Sequence, residues 1–291
     1  MTREGLKYQF AKLTIAEKLI VINVLVFLIN GIFMFLLGLP KNSIVQWFEL
    51  PKDFFEFIAQ PWSIVTYSFF HGDFWHILNN MLVLHFSGKI LLNLFGPKKF
   101  INVYFLGVIS GGLFFLLSYN VFPALIDVNS VLIGASAGVT AILIFVCAYI
   151  PNREVRLFMF NIKLWYIGAF WVLLNLIQIP NGQNVGGLIA HLGGALLGYL
   201  YARQLTKGKD IGVGFENFLN SIANMFRGKE KKAPLRTVYR KKKATTKSKV
   251  VYEKENHQRK IDSILDKISK SGYESLSKAE KDFLFKAGKE N

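Results

Sequence analysis

Ser136 and His191 stand in stretches otherwise apolar enough to sit in hydrocarbon, where a hydroxyl or an imidazole is costly unless it serves another polar group. Ser136 is near the head of Val131 to Ile150, VLIGASAGVTAILIFVCAYI, among small residues. His191 lies in Val185 to Ala202, VGGLIAHLGGALLGYLYA, which has no charged residue. A serine hydroxyl is a poor nucleophile without a general base within hydrogen-bond reach. The two residues therefore predict acyl transfer, with Ser136 as nucleophile and His191 as base.

Acyl transfer also needs donors where an oxyanion develops. Gly134-Ala135-Ser136 falls where a loop is expected to become a helix, and the first N–H groups of a helix have no internal partner and carry the positive end of its dipole. A second stretch, HGDFWHILNNMLVLHF, supplies His76 and Asn80. At roughly 100° per residue, Asn80 lies about 40° from His76 and one turn along, whereas His85 lies about 180° away. His76 and Asn80 can thus aim donors at one place, together with the Ser136 backbone, and His85 is read as a polar packing residue. Gly187, Gly194, Ala195 and Gly198 share the His191 face, while Gly134, Ala137, Gly138 and Ala141 surround Ser136. Such small-residue faces allow two membrane helices to approach closely enough to join the pair.

The elements that must position these groups read as an all-α polytopic membrane protein. Six apolar segments follow one another, near residues 19–38, 74–95, 100–120, 131–150, 157–179 and 185–202, and the chain is 52% hydrophobic. Of the 35 Lys and Arg, that arrangement puts 33 on one side and only Lys41 and Lys52 on the other. By the positive-inside rule both termini are expected in the cytoplasm. The membrane expected is the plasma (inner) membrane of a bacterium. A net charge of +16 raises the question of nucleic acid, but the basic residues cluster in a tail without aromatic interleaving, which suits anionic lipid better. The single cysteine, Cys147, excludes an intrachain disulfide and is read as core.

Four regions follow: a cytoplasmic segment over residues 1–18, a membrane domain over 19–204, an amphipathic segment and basic linker over 205–260, and a helical hairpin over 261–291. The outer loop from Leu39 to Phe70 is aromatic, with Trp47, Phe54, Phe55 and Trp62, and is expected both to fold on the helices and to lie at the headgroups. Phe215, Phe218, Leu219, Ile222 and Phe226 predict an amphipathic helix over Gly214 to Phe226. The linker from Gly228 to Lys260 includes the basic run Arg240 to Lys243. In the hairpin, Ser277-x-x-Glu280 has the spacing of a capping box ahead of Phe283, Leu284 and Phe285.

Gly134-Ala-Ser136, His76-x-x-x-Asn80 and Ala190-His191-x-x-Gly194-x-x-x-Gly198, in that six-span frame, resemble the rhomboid family of intramembrane serine proteases over roughly residues 15 to 205. The resemblance implies a Ser136/His191 dyad without a third acid, an oxyanion hole of His76, Asn80 and the Ser136 backbone, and transmembrane protein substrates in the lipid bilayer. It implies no cofactor and no metal; a cytoplasmic partner is left for the tail. The chain departs from the family pattern twice. Ala137 follows the serine where glycine is common, and Thr140 stands four residues after it where an aromatic residue often packs on the histidine.

Gly134-x-Ser136-x-Gly138 also fits the nucleophile elbow of soluble hydrolases, but six apolar spans exclude that fold. The chain contains no H-E-x-x-H, which disfavours a metalloprotease. From another class, a catalytically silent rhomboid-like binder or adaptor would share the spans but usually lacks the serine or the histidine; this chain has both.

Overall fold

In the computed structural model, residues 3–40, 42–157, 159–226 and 248–289 are described, and the chain divides into two compact units, Met1–Gly228 and Lys229–Asn291. The first unit is mostly helical. A helix over Arg3–Lys12 (α1) precedes Ile15–Leu37 (α2), which opens on a capping box between Thr14 and Glu17 and closes on Gly38 in the left-handed region. Phe74–Val121 (α3), Ser136–Tyr149 (α4), Leu164–Gln178 (α5), Val185–Thr206 (α6) and Val213–Phe226 (α7) follow.

Among the described residues, four helical segments are long and apolar enough to cross a membrane: Ile15–Leu37, Phe74–Val121, Leu164–Asn181 and Val185–Thr206. The 48-residue α3 is broken at Gly96, whose φ of 77° and ψ of −175° suit glycine alone, and Pro97 follows it. The chain turns between two arms there, at the boundary expected between the second and third apolar segments. Helix α4 has 14 residues, about 21 Å of rise, and is shorter than a bilayer core. Every residue from Ser136 to Cys147 is buried, because α3 and α6 enclose α4.

Two short sheets modify the all-helical expectation. Leu50–Pro51 (β1) pairs antiparallel with Val131–Leu132 (β2), so the start of the fourth apolar segment is strand and loop before it becomes helix. Glu154–Leu157 (β3) pairs antiparallel with Phe160–Lys163 (β4), and α5 starts only at Leu164, whereas the fifth apolar segment was expected to run from residue 157. The cause is a run of alternating polar and apolar residues, Glu154-Val155-Arg156 and Phe160-Asn161-Ile162-Lys163, which suits a two-sided ribbon better than a helix face.

The outer loop packs back on the bundle. Trp62 donates its indole N–H to the Trp47 carbonyl at 2.8 Å, and buried Tyr67 donates its hydroxyl to the Val108 carbonyl at 2.7 Å. Trp47, Phe54, Phe55 and Trp62 stay exposed at the surface of this loop. At the opposite end Lys99 pairs with Asp210, which also accepts from the Tyr201 hydroxyl at 2.7 Å and the Gly212 N–H at 3.0 Å, fixing the turn between α6 and α7. On α7, Phe218, Ile222 and Met225 are exposed, as an amphipathic surface helix requires.

The second unit contains Ser248–Ser271 (α8) and Lys278–Lys289 (α9). Helix α8 begins inside the stretch read as linker, while the basic run Arg240 to Lys243 lies outside the described residues. The Ser277–Glu280 capping box forms: the Ser277 N–H donates to Glu280 Oε2 at 2.8 Å, and Lys267 reaches both carboxylate oxygens at 3.0 Å.

Candidate active site

Ser136 is the first residue of α4, and the first backbone bond of that helix that closes behind it runs from the Val139 N–H to the Ala135 carbonyl at 3.0 Å. The N–H groups of Ser136, Ala137 and Gly138 therefore lie at the helix mouth, where no intrahelical carbonyl meets them. The approach to Ser136 is held from both sides. Gly134 donates its N–H to the Tyr67 carbonyl at 3.0 Å, and the Ala135 N–H donates to His71 Nε2 at 3.4 Å. Gly134 has φ of 120°, a conformation closed to side chains bearing a Cβ.

That glycine also makes room. A methyl group there would stand 2.6 Å from His76 Nε2 and 3.6 Å from Ser136 Oγ, so the His76 ring and the Ser136 hydroxyl share one corner. His76 is oriented by the helix it starts: Asp73 caps α3 and accepts the His76 N–H at 2.9 Å. The structure thus brings His76 to Ser136. Asn80 lies one turn further along and donates through Nδ2 to the His76 carbonyl at 2.9 Å, so one of its two N–H groups is engaged within its own helix. His71, given no catalytic role from sequence, packs edge-on against His76 with ring centroids 5.1 Å apart. His85 lines a separate small cavity with Thr14, Glu17 and Lys89.

The turn carrying His191 is placed by helix crossings without side chains. A methyl group on Gly194 would meet the Ala137 carbonyl oxygen directly and stand 3.0 Å from its carbon; Gly198 meets Ala141 the same way. Gly111 of α3 faces both neighbours of the pair, with the Ala137 methyl against it and the Ala190 oxygen 2.8 Å from where its own methyl would be. Three backbones therefore converge one residue from Ser136 and one residue from His191.

Helix α5 adds one group that the sequence did not single out, Asn175. Asn175 Oδ1 lies 2.7 Å from His191 Nδ1, and Asn175 Nδ2 donates to the Trp171 carbonyl at 2.7 Å. One turn away, the Trp171 indole donates to Thr140 Oγ1 at 3.2 Å, across from α5 to α4. An asparagine on an apolar span was the available signal, since a buried amide there demands partners. An apolar groove of about 760 Å³ runs between α4, α5 and α6, and borders this corner through Leu176 and Leu192. Among the described residues no three His, Cys, Asp or Glu side chains gather as a metal site.

Residues 59–208 match the Rhomboid domain family, and residues 244–287 match a family of unknown function (DUF6576). Rhomboid protein 1, mitochondrial, of Saccharomyces cerevisiae is 29% identical over 194 residues, covering 63% of this chain and 54% of that protein. RHOMBOID-like protein 12, mitochondrial, of Arabidopsis thaliana is 27% identical over 159 residues, covering 50% of this chain and 47% of that protein. Rhomboid-like protein 16, chloroplastic, also of Arabidopsis thaliana, is 24% identical over 160 residues, covering half of each. The chain spans about half the length of these curated relatives. Their organellar names overturn the expected location in a bacterial plasma membrane. The physical reason is that a charge split tells which face of a bilayer is basic and carries nothing about which membrane it is.

Proposed function

The chain belongs to the rhomboid family, and from that premise we propose that it is an intramembrane serine endopeptidase acting on transmembrane protein segments in an organellar membrane. The observation that supports this most is the convergence of Ala137, Ala190 and Gly111, which sets the first turn of α4 beside the His191 turn of α6. Ser136 is the nucleophile and His191 the general base. The Ser136 Oγ attacks the scissile carbonyl carbon while His191 Nε2 takes its proton. The oxyanion accepts from the N–H groups at the head of α4 and from His76, with Asn80 in support. Collapse breaks the C–N bond; His191 returns the proton to the leaving amine, and water then hydrolyses the Ser136 ester by the same base.

The two arms of α3 each count as a span, which with α2, α4, α5 and α6 makes six. With one end of α4 at the basic face, its rise of about 21 Å leaves Ser136 about 9 Å beneath the far edge of a hydrocarbon core of about 30 Å. Hydrolysis then occurs below the surface, and water reaches the site from the outer side, where the Asp73 cap and His71 provide polar groups.

A serine-directed fluorophosphonate probe tests the reading on the full chain in proteoliposomes. Wild type labels; Ser136→Ala abolishes labelling, and His191→Ala reduces it at least about 100-fold, the scale of general-base catalysis. Equal labelling of wild type and Ser136→Ala would leave a silent binder of membrane segments.

A further inference from the structure

Helix α5 buries only Leu164, Gly168 and Asn175, so the one polar side chain that it buries is the one aimed at His191. The orientation of that amide is determined by its other bond. Because Nδ2 donates to the Trp171 carbonyl at 2.7 Å, the oxygen must be the atom facing the ring. An amide oxygen only accepts, so the His191 Nδ1 that lies 2.7 Å from it must carry the proton. In a neutral imidazole this leaves the lone pair on Nε2, the tautomer a base needs toward a serine hydroxyl.

We propose that Asn175 is the positioning residue of this site: it fixes the tautomer and ring plane of His191 from a neighbouring helix, as the third member of a Ser136–His191–Asn175 arrangement. This rests on His191 being the base. Thr140, which takes the place of an aromatic residue, fits the same device, because its hydroxyl accepts from Trp171 at 3.2 Å and holds the α5 turn whose carbonyl aligns Asn175. Orientation of the base therefore depends on where α5 sits. Displacing α5 from α4 and α6 releases the Nδ1 contact and frees the ring to turn.

The test follows fluorophosphonate labelling rate against pH in proteoliposomes, with cleavage of a single-span reporter split into kcat and KM. Asn175→Ala slows labelling and kcat on the order of 10- to 100-fold with KM unchanged, part of the 100- to 10,000-fold that general-base catalysis contributes. Asn175→Asp keeps the acceptor in place and restores most of the rate, the Trp171 carbonyl retaining its helix bond. The added carboxylate favours the imidazolium, so the low-pH limb of the rate profile moves to higher pH. His76 on α3 is the titratable group beside Ser136 at this corner; the polar groups that α4 and α5 bring to it, Ser136, Thr140, Asn175 and Trp171, are uncharged. The shifted limb reports that residue 175 lies against His191; the loss of kcat at constant KM that the acceptor of Asn175→Asp reverses is what a merely structural amide would not give.

Should Asn175→Ala fail to accumulate, Asn175→Leu, which keeps the volume and removes the acceptor, takes its place. Wild-type rates in Asn175→Ala, or an unshifted limb in Asn175→Asp, overturn the positioning role while the dyad stands, provided Ser136→Ala and His191→Ala are inactive. Full labelling in either of those two overturns the dyad itself.

Discussion

Replacing Gly194 by alanine sets a methyl group against the backbone of Ala137, with the Ala137 carbonyl carbon at 3.0 Å and its Cα at 3.2 Å. Neither atom belongs to a flexible side chain, so the strain is relieved only by moving whole helices. Carbon atoms at rest lie about 3.5–4.0 Å apart, which requires α6 to retreat from α4 by roughly 0.5–1 Å. Overpacking of this kind costs about 1–3 kcal/mol. Its effect on chemistry is larger than on stability, because His191 is one turn from Gly194 and Ser136 adjoins Ala137, and a displacement of about 1 Å at reacting groups costs up to about 100-fold in rate. Gly31→Ala is the control: no atom lies within 4 Å of its added methyl, and alanine is the better helix former there. The assay is reporter cleavage in proteoliposomes, paired with thermal unfolding in detergent. Gly194→Ala is expected to lose about 10- to 100-fold in kcat with a modest loss of stability, and Gly31→Ala to match wild type. Full activity in Gly194→Ala would refute the claim that helix approach at this crossing sets the distance between the turns that carry Ser136 and His191.

Asp210→Asn removes the charge that Lys99 pairs with while keeping an acceptor for Tyr201; this partly exposed network is worth about 1–2 kcal/mol, and the measurement is a lowered unfolding midpoint with little change in reporter cleavage. In the C-terminal unit, the Ser277 backbone N–H and then Lys267 hold the Glu280 carboxyl down at about 2, below the ordinary carboxylate range. A depressed carboxyl stabilises the folded form fully above that ordinary range and loses its effect as the pH falls through about 2. Hydrogen exchange at the amides of residues 277–281 in the full chain should therefore be protected at pH 7, faster in Glu280→Gln at the same pH, and insensitive to that substitution near pH 2. Equal protection of the variant at pH 7 would show that the cap does not hold the start of α9.

Much of the fold follows from one-dimensional patterns because lipid imposes them: an apolar run near 20 residues leaves its backbone little choice but helix. The arms of α3 and the helices α2 and α6 were legible on that ground, and the break expected between residues 95 and 100 falls at Gly96-Pro97. Where the sequence misled, a second pattern competed. Glu154 to Lys163 alternates closely enough to pair as a ribbon, which shortens α5 to begin at Leu164. The early start of α8 at Ser248 had no apolar periodicity to announce it, since residues 252–260 are mostly polar and exposed.

The site divides along a similar line. Ser136, His191 and His76 were legible because each is polar where polarity is expensive and each adjoins small residues that admit a neighbour. Asn175 obeys the first condition and was missed, because its meaning depends on which helix lies across from it, and no spacing within one segment carries that. The departure at Thr140 then becomes informative. An aromatic side chain there would orient the histidine by stacking from within α4. A threonine instead accepts a hydrogen bond from Trp171 and leaves the orientation of His191 to an amide on α5. The contact on His191 thus comes not from α4, buried from Ser136 to Cys147, but from α5, which is exposed along most of its length. A double substitution separates the two devices: Thr140→Phe can restore the ring plane by stacking but cannot fix the tautomer, so it should recover only part of the activity lost in Asn175→Ala. Full recovery of reporter cleavage by Thr140→Phe would show that the amide holds the ring plane alone.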